Sequence, residues 1–244
     1  LGINVFNDYF DVKDGTDEAN AEYFQQVSGG SRAIELGLIT LKGTRTLGII
    51  LTISALAIGG IILSSIETSN FNGAMQIALA GLFLGYFYTA RPLRLVARRG
   101  LGEIAIFLAF GPLLTLGVGY AIFNGDFANS VHFMNCLLLG IPLGLLTTNI
   151  LLINEFPDMN SDAKTGKNHL VVTFGKKASR WIYLTFLILA VGSSFYMYQE
   201  LGNNYLLIPT IFCLVFGLYI FKHILAHYEL RSLVDANWKT IGLQ

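Results

Sequence analysis

Long apolar runs recur along this chain at the length of a lipid bilayer, and short polar segments separate them. Six stretches qualify, near residues 47–66, 74–89, 104–123, 133–153, 181–199 and 205–223. Each is close to the roughly 20 mainly apolar residues that a bilayer-crossing helix requires. Residues 1–10 read as the tail of an earlier span, and residues past 230 as the lead into a later one. The expectation is a single membrane domain over 1–244, truncated at both ends.

The polar segments alternate. All 16 Lys and Arg lie within 13–45, 91–99, 164–180 and 222–239, while the intervening loops near 67–73, 124–132 and 200–204 have none. A miscounted span would scramble that alternation, and the positive-inside rule places the basic loops in the cytoplasm. Two basic-side loops, near 12–44 and 154–180, are long and polar, which predicts a cytoplasmic cap over a membrane-embedded cavity.

Composition agrees. The 244 residues are 53% hydrophobic and only 13% charged, with a mean hydropathy of +0.57, whereas soluble domains carry about 25% charged residues. The formal net charge of zero gives no footprint for nucleic acid. Cys136 and Cys213 fall inside apolar spans and read as buried free thiols.

Against this background two acid-rich segments stand out, each beside an apolar stretch. In the first, Asn4, Asn7, Asp8 and Asp11 are spaced i, i+3, i+4 and i+7, one face of a helix. Asp14 extends that face, and Gly15 is expected to end the helix, leaving Asp17 on a loop. In the second, Asn154, Asp158 and Asp162 are spaced i, i+4 and i+8, and Pro157 is expected to interrupt the helix or start a new turn. Acids at membrane depth are costly and therefore functional suspects. Carboxylate oxygens suit Mg²⁺, which binds through one or two carboxylates plus substrate phosphates, so two facing acidic surfaces have the donors to hold such ions around a diphosphate. Solvated helix ends would not account for one-face spacing in both clusters on the same side.

Cations complete a phosphate site. Arg32 follows Ser28-Gly29-Gly30-Ser31, a loop able to form an anion-binding concavity. Arg94 and Lys167 lie at span ends on the same side and rank with Arg32 as diphosphate binders, ahead of Arg98 and Arg99. Tyr88 is the aromatic expected to face the cavity, where its ring can stabilise a cation. His169 is a neighbour of the second motif, and His223 and His227 read as interfacial.

At these residues the chain resembles the UbiA superfamily of intramembrane aromatic prenyltransferases. The likeness rests on Asn7-Asp8-Tyr9-Phe10-Asp11 with Asp17, and on Asp158-Met159-Asn160-Ser161-Asp162. It extends through Val27-Ser28-Gly29-Gly30-Ser31-Arg32, Tyr88-Thr89 with Pro92, Arg99-Gly100-Leu101-Gly102-Glu103 and Gly166-Lys167-Asn168-His169-Leu170. Within the superfamily it is most similar to the 1,4-dihydroxy-2-naphthoate polyprenyltransferases, through Asn154-Glu155-Phe156-Pro157-Asp158 and the Ser-Gly-Gly-Ser-Arg loop. Gly15 stands where many 4-hydroxybenzoate enzymes place their third acid, which leaves Asp17 in that role.

The resemblance implies an all-α polytopic transmembrane bundle of about nine spans of about 20 residues each, six of them complete here. It implies that Asp8, Asp11, Asp17, Asp158 and Asp162 hold Mg²⁺, with Asn4, Asn7 and Asn154 orienting or ligating. Arg32, Arg94, Lys167, Asn7 and Tyr88 would serve an allylic polyprenyl diphosphate. Ionisation leaves an allylic cation for an aromatic acceptor to attack, in a plasma-membrane enzyme whose site faces the cytoplasm. Other acceptors stay open: 4-hydroxybenzoate, a haem vinyl group, a chlorophyllide ester or a glycerol phosphate ether. A divalent-cation or phosphate transporter is the reading from another class, but it predicts acids spread across the membrane depth.

Overall fold

The structure is a computed structural model and describes residues 2–15 and 30–244. The first acidic segment forms α1 (Gly2–Lys13), which stops at Gly15, whose φ of +75° is a left-handed conformation that terminates helices. Helix α2 (Leu41–Ser65) packs along α1, its first turn capped by the Thr40 hydroxyl, which accepts from the Gly43 N–H at 3.0 Å. Then come α3 (Thr68–Thr89), α4 (Leu101–Phe110), α5 (Pro112–Ile122) and α6 (Val131–Lys164). The chain continues through α7 (Leu170–Phe174), α8 (Lys176–Leu201), α9 (Leu207–His227) and α10 (Val234–Leu243). Among the described residues there is no strand, only an isolated bridge between Arg98 and Asn168.

Five segments are long and apolar enough to cross a membrane: α2, α4 with α5, α6, α8, and α9 with the turn before it. The remaining predicted span is α3, whose 22 residues include Asn70, Asn72 and Gln76 in the first half. The fold is thus a polytopic helical bundle. Contacts group the predicted loops at two ends of the bundle. At one end Asp14 meets Arg91 and Arg94, and Arg99 meets Asn168. At the other, Asn70 donates to the Phe123 carbonyl at 2.9 Å and accepts from the Phe127 N–H at 3.0 Å, while Glu67 accepts from the Gly125 N–H.

Helix α6 is the axis of the bundle, packing on α4, α5, α8 and α10. Its Leu152, Ile153 and Phe156 are fully buried against Tyr183, Leu187, Ile220 and Ile224. Polar side chains join the same helices. Asn149 donates to the Tyr183 carbonyl at 3.1 Å, and Tyr183 shares a 2.9 Å hydrogen bond with Thr240. An apolar cavity of about 560 Å³ opens between α4, α6 and α8 and is lined by Phe107, Ile141, Leu145, Ile188, Leu189 and Gly192.

Two local expectations are corrected. The span read as continuous over 104–123 bends at Gly111, where Pro112 starts α5. The elbow is held against α6 by backbone contact: a Cβ on Gly140 would lie 2.6 Å from Pro112 Cα. Gly140→Ala is therefore expected to destabilise the protein by about 1–3 kcal/mol through overpacking, read as a lower midpoint of thermal unfolding in detergent. An unchanged midpoint would refute this crossing.

The second correction is Pro157, which does not interrupt α6. Proline there removes the N–H that would bond the Ile153 carbonyl. Asn237 of α10 supplies the missing donor instead, at 3.1 Å, so the helix runs through.

Candidate active site

The two acidic segments, far apart in sequence, meet at one ion pair. Asp11 on α1 is buried, and Lys167, just past α6, donates to both its carboxylate oxygens at 3.1 and 3.3 Å across 156 positions. Asn7, one turn before, donates to the same carboxylate at 3.0 Å, as the i, i+4 spacing requires. Burial works against the Lys167 charge, but Asp11, then Asp162, outweigh it and raise its pKa above the ordinary lysine value. Asp158 adds to the same field. One cation thus sits among carboxylates from both segments. Tyr88, at the end of α3, lies within electrostatic range of Asp11 and Asp162 as well as Glu155 and Glu103.

Asp8 faces the chain beyond the undescribed stretch: Ser31 donates to it through its hydroxyl at 2.5 Å and its N–H at 3.4 Å. The Ser31 N–H thus meets an anion, the protein's own Asp8 carboxylate. Ser31 entered the sequence reading only as a member of the glycine-serine loop, and a hydroxyl after two glycines is the signal that marks its side chain. Asp14 is clamped by Arg94 at 3.1 Å and Arg91 at 3.4 Å. Arg32 pairs with Glu35. Asn4 is exposed on α1. Asn154 turns toward α10, its carbonyl oxygen accepting from Asn237 at 2.8 Å. Asp17 lies outside the described residues, as do Ser28 and Gly29. His223 contacts the Ser232 carbonyl at 3.0 Å and His227 the His223 carbonyl at 2.9 Å, so main-chain contacts occupy the pair.

Behind Asp162 is a buried polar cluster to which sequence reasoning assigned only a loose neighbour, His169. Its ring is 1% exposed, with Nδ1 3.2 Å from Glu155 and Nε2 3.2 Å from Asp162. Both are ion-pair distances between buried side chains. Nδ1 is also 3.3 Å from the Val172 N–H; it accepts there when neutral and donates to Glu155 when protonated. Burial opposes the charge on His169, while Glu155 and Asp162 favour it and raise its pKa above the ordinary histidine value. Nearby, Glu103 accepts from the Leu170 N–H at 2.6 Å and fixes the start of α7. Glu103 and Glu155 were legible as acids inside or beside apolar spans; Asn237 had no such signal.

Among the described residues, no group of three or more acids, histidines or cysteines is placed to hold a metal unaided. The donor set still fits Mg²⁺. Asp8, Asp11, Asp158 and Asp162 are hard oxygen donors, Mg²⁺ completes its shell with phosphate oxygens and water, and the point between the segments already stabilises the Lys167 ammonium.

Comparison with known proteins places the chain against one family. The UbiA prenyltransferase family matches it over residues 1–233. It is 29% identical to a 1,4-dihydroxy-2-naphthoate octaprenyltransferase of Mycobacterium leprae, over 77% of this chain and 58% of that protein. It is 30% identical to the Haemophilus influenzae protein of the same name, over 77% and 57%. It is 27% identical to a chloroplastic 2-carboxy-1,4-naphthoquinone phytyltransferase of Arabidopsis thaliana, over 74% and 44%. The chain thus spans about half the length of the curated relatives it matches. No solved structure matches it significantly.

Proposed function

The chain belongs to the UbiA prenyltransferase family, and from that premise we propose that the intact protein transfers a polyprenyl group from its diphosphate to 1,4-dihydroxy-2-naphthoate. The prenyl carbon bonds to the ring where the carboxylate leaves as CO₂, and pyrophosphate departs, giving demethylmenaquinol. The observation that carries the reading is the Asp11–Lys167 pair, which links the first acidic segment to the turn that follows the second. The names of the relatives support the acceptor.

A divalent cation on Asp8, Asp11, Asp158 and Asp162, with Asp17 as a further donor, would neutralise charge on the diphosphate and make it a better leaving group. Lys167 binds the same diphosphate as a point charge, and Arg32 and Arg94 offer forked donors. Asn7 keeps Asp11 in its rotamer. Asn4 and Asn154 orient the acids beside them, and the Tyr88 ring faces the allylic cation that forms as the C–O bond breaks. The cytoplasmic loops keep water from that cation. The apolar cavity beside α6 offers the isoprenoid tail a path into the bilayer. The protein is read as a single plasma-membrane domain, its site facing the cytoplasm where the basic loops gather.

The test is transfer of a radiolabelled polyprenyl diphosphate by membranes bearing the intact protein, with Mg²⁺ and either 1,4-dihydroxy-2-naphthoate or 4-hydroxybenzoate. A demethylmenaquinone-like product with the naphthoate alone is expected. Product with the hydroxybenzoate alone would keep the class and overturn the acceptor. No product with either would redirect the search to haem, chlorophyllide or glycerol phosphate acceptors.

A further inference from the structure

Glu155 and Asp162 are seven residues apart on α6, hence on one face and about 10 Å apart along the axis. Both are buried, with 6% and 5% exposure. His169 lies between them, with one ring nitrogen 3.2 Å from each carboxylate. The imidazole bridges the two acids whichever of the three groups carries the proton.

The imidazole has little freedom to swing away. Its own backbone is fixed on both sides, where Arg99 donates to the Asn168 carbonyl at 2.7 Å and Leu170 donates to Glu103 at 2.6 Å. The Lys167 N–H, two residues earlier, donates to the Asp162 carbonyl at 2.8 Å. The ring, Asp162 and the turn that carries Lys167 therefore form one assembly, closed at the back by Glu155. The imidazole contact restrains Asp162 Oδ2 from turning away and so limits where the other oxygen can lie. Outer partners of this kind orient a ligating carboxylate.

We propose that His169 is a positioning residue which, braced on Glu155, holds Asp162 and the Lys167 turn in the geometry that receives the metal-diphosphate. The proposal rests on the transferase reading above. His169 itself lies behind Asp162 and acts through it.

The experiment is Mn²⁺ binding to the purified intact protein in the presence of inorganic pyrophosphate, followed by electron paramagnetic resonance. His169→Ala is expected to weaken Mn²⁺ binding by about tenfold or more. His169→Gln, which returns a donor toward Asp162, recovers most of that loss, a rescue that a purely space-filling role would not produce. Glu155→Gln keeps the shape and removes the brace, and it weakens Mn²⁺ binding in the same direction; it serves where His169→Ala does not accumulate. Wild-type Mn²⁺ affinity in His169→Ala or in Glu155→Gln would overturn the proposal, as would a Gln variant no better than the Ala variant. A wild-type protein that binds no Mn²⁺ with pyrophosphate would instead sink the transferase reading, and this inference with it.

Discussion

Asp11→Ala in the intact protein is expected to reduce turnover on the order of a thousandfold, comparable to the loss of a central electrostatic group in other active sites. Asp11 is the residue through which the first acidic segment touches the second. It takes hydrogen bonds from Asn7 and Lys167 together, and its removal deletes a candidate metal donor. It also strands the Lys167 ammonium, whose side chain is only 12% exposed; a cation deprived of its partner in such a place also costs stability. Asp11→Asn separates the two effects, because it retains the shape and an acceptor for Asn7 while losing the charge. Both variants are expected to reach the membrane, with Asn closer to wild type in thermal stability yet equally poor in turnover. Turnover with labelled polyprenyl diphosphate, normalised to protein extracted from the membrane, measures this. Near-normal turnover in Asp11→Asn would remove the metal role from the first segment.

Excess EDTA is expected to abolish transfer, and Mg²⁺ added beyond the chelator to restore it. The physical ground is charge. Asp8, Asp11, Asp158 and Asp162 are the carboxylates proposed to meet the diphosphate, and Lys167 is already engaged with Asp11. One ammonium does not offset several carboxylates and a diphosphate at contact distance. Because no described group of three ligands is preassembled, cation binding is expected to depend on the diphosphate, whose oxygens complete the shell. Calorimetry should therefore find tighter Mg²⁺ binding in the presence of inorganic pyrophosphate than in its absence. Transfer that resists EDTA would exclude the metal mechanism.

Hydropathy and charge alternation alone specified most of the architecture. Each predicted span is a helix, because a backbone in lipid must satisfy its own hydrogen bonds and an apolar 20-residue run has few other ways to do so. Which loops share an end was legible in the distribution of Lys and Arg. The one-face spacing in α1 was equally legible, since Asn7 and Asp11 are neighbours by helical geometry alone. The chemistry of the donors, hard oxygens with nearby cations, was also readable before any fold was known.

Other features depended on partners distant in sequence. Proline signals a helix break by itself, yet α6 continues through Pro157 because Asn237, 84 positions past Ile153, satisfies the carbonyl that proline leaves open. The bend at Gly111 depends on Gly140 lying against it. Lys167 was one of several basic residues until packing set it on Asp11, and Arg94, ranked beside it, pairs with Asp14. His169 had no pattern of its own, and its place between Glu155 and Asp162 arises from the turn after α6 folding back onto that helix. The sequence by itself determined what repeats along the chain: spans and helical faces, set by local periodicity and by the transfer of side chains into lipid. Only the tertiary structure decided which buried charge meets which, because in a low-dielectric interior that choice is made by contacts between residues the chain keeps far apart.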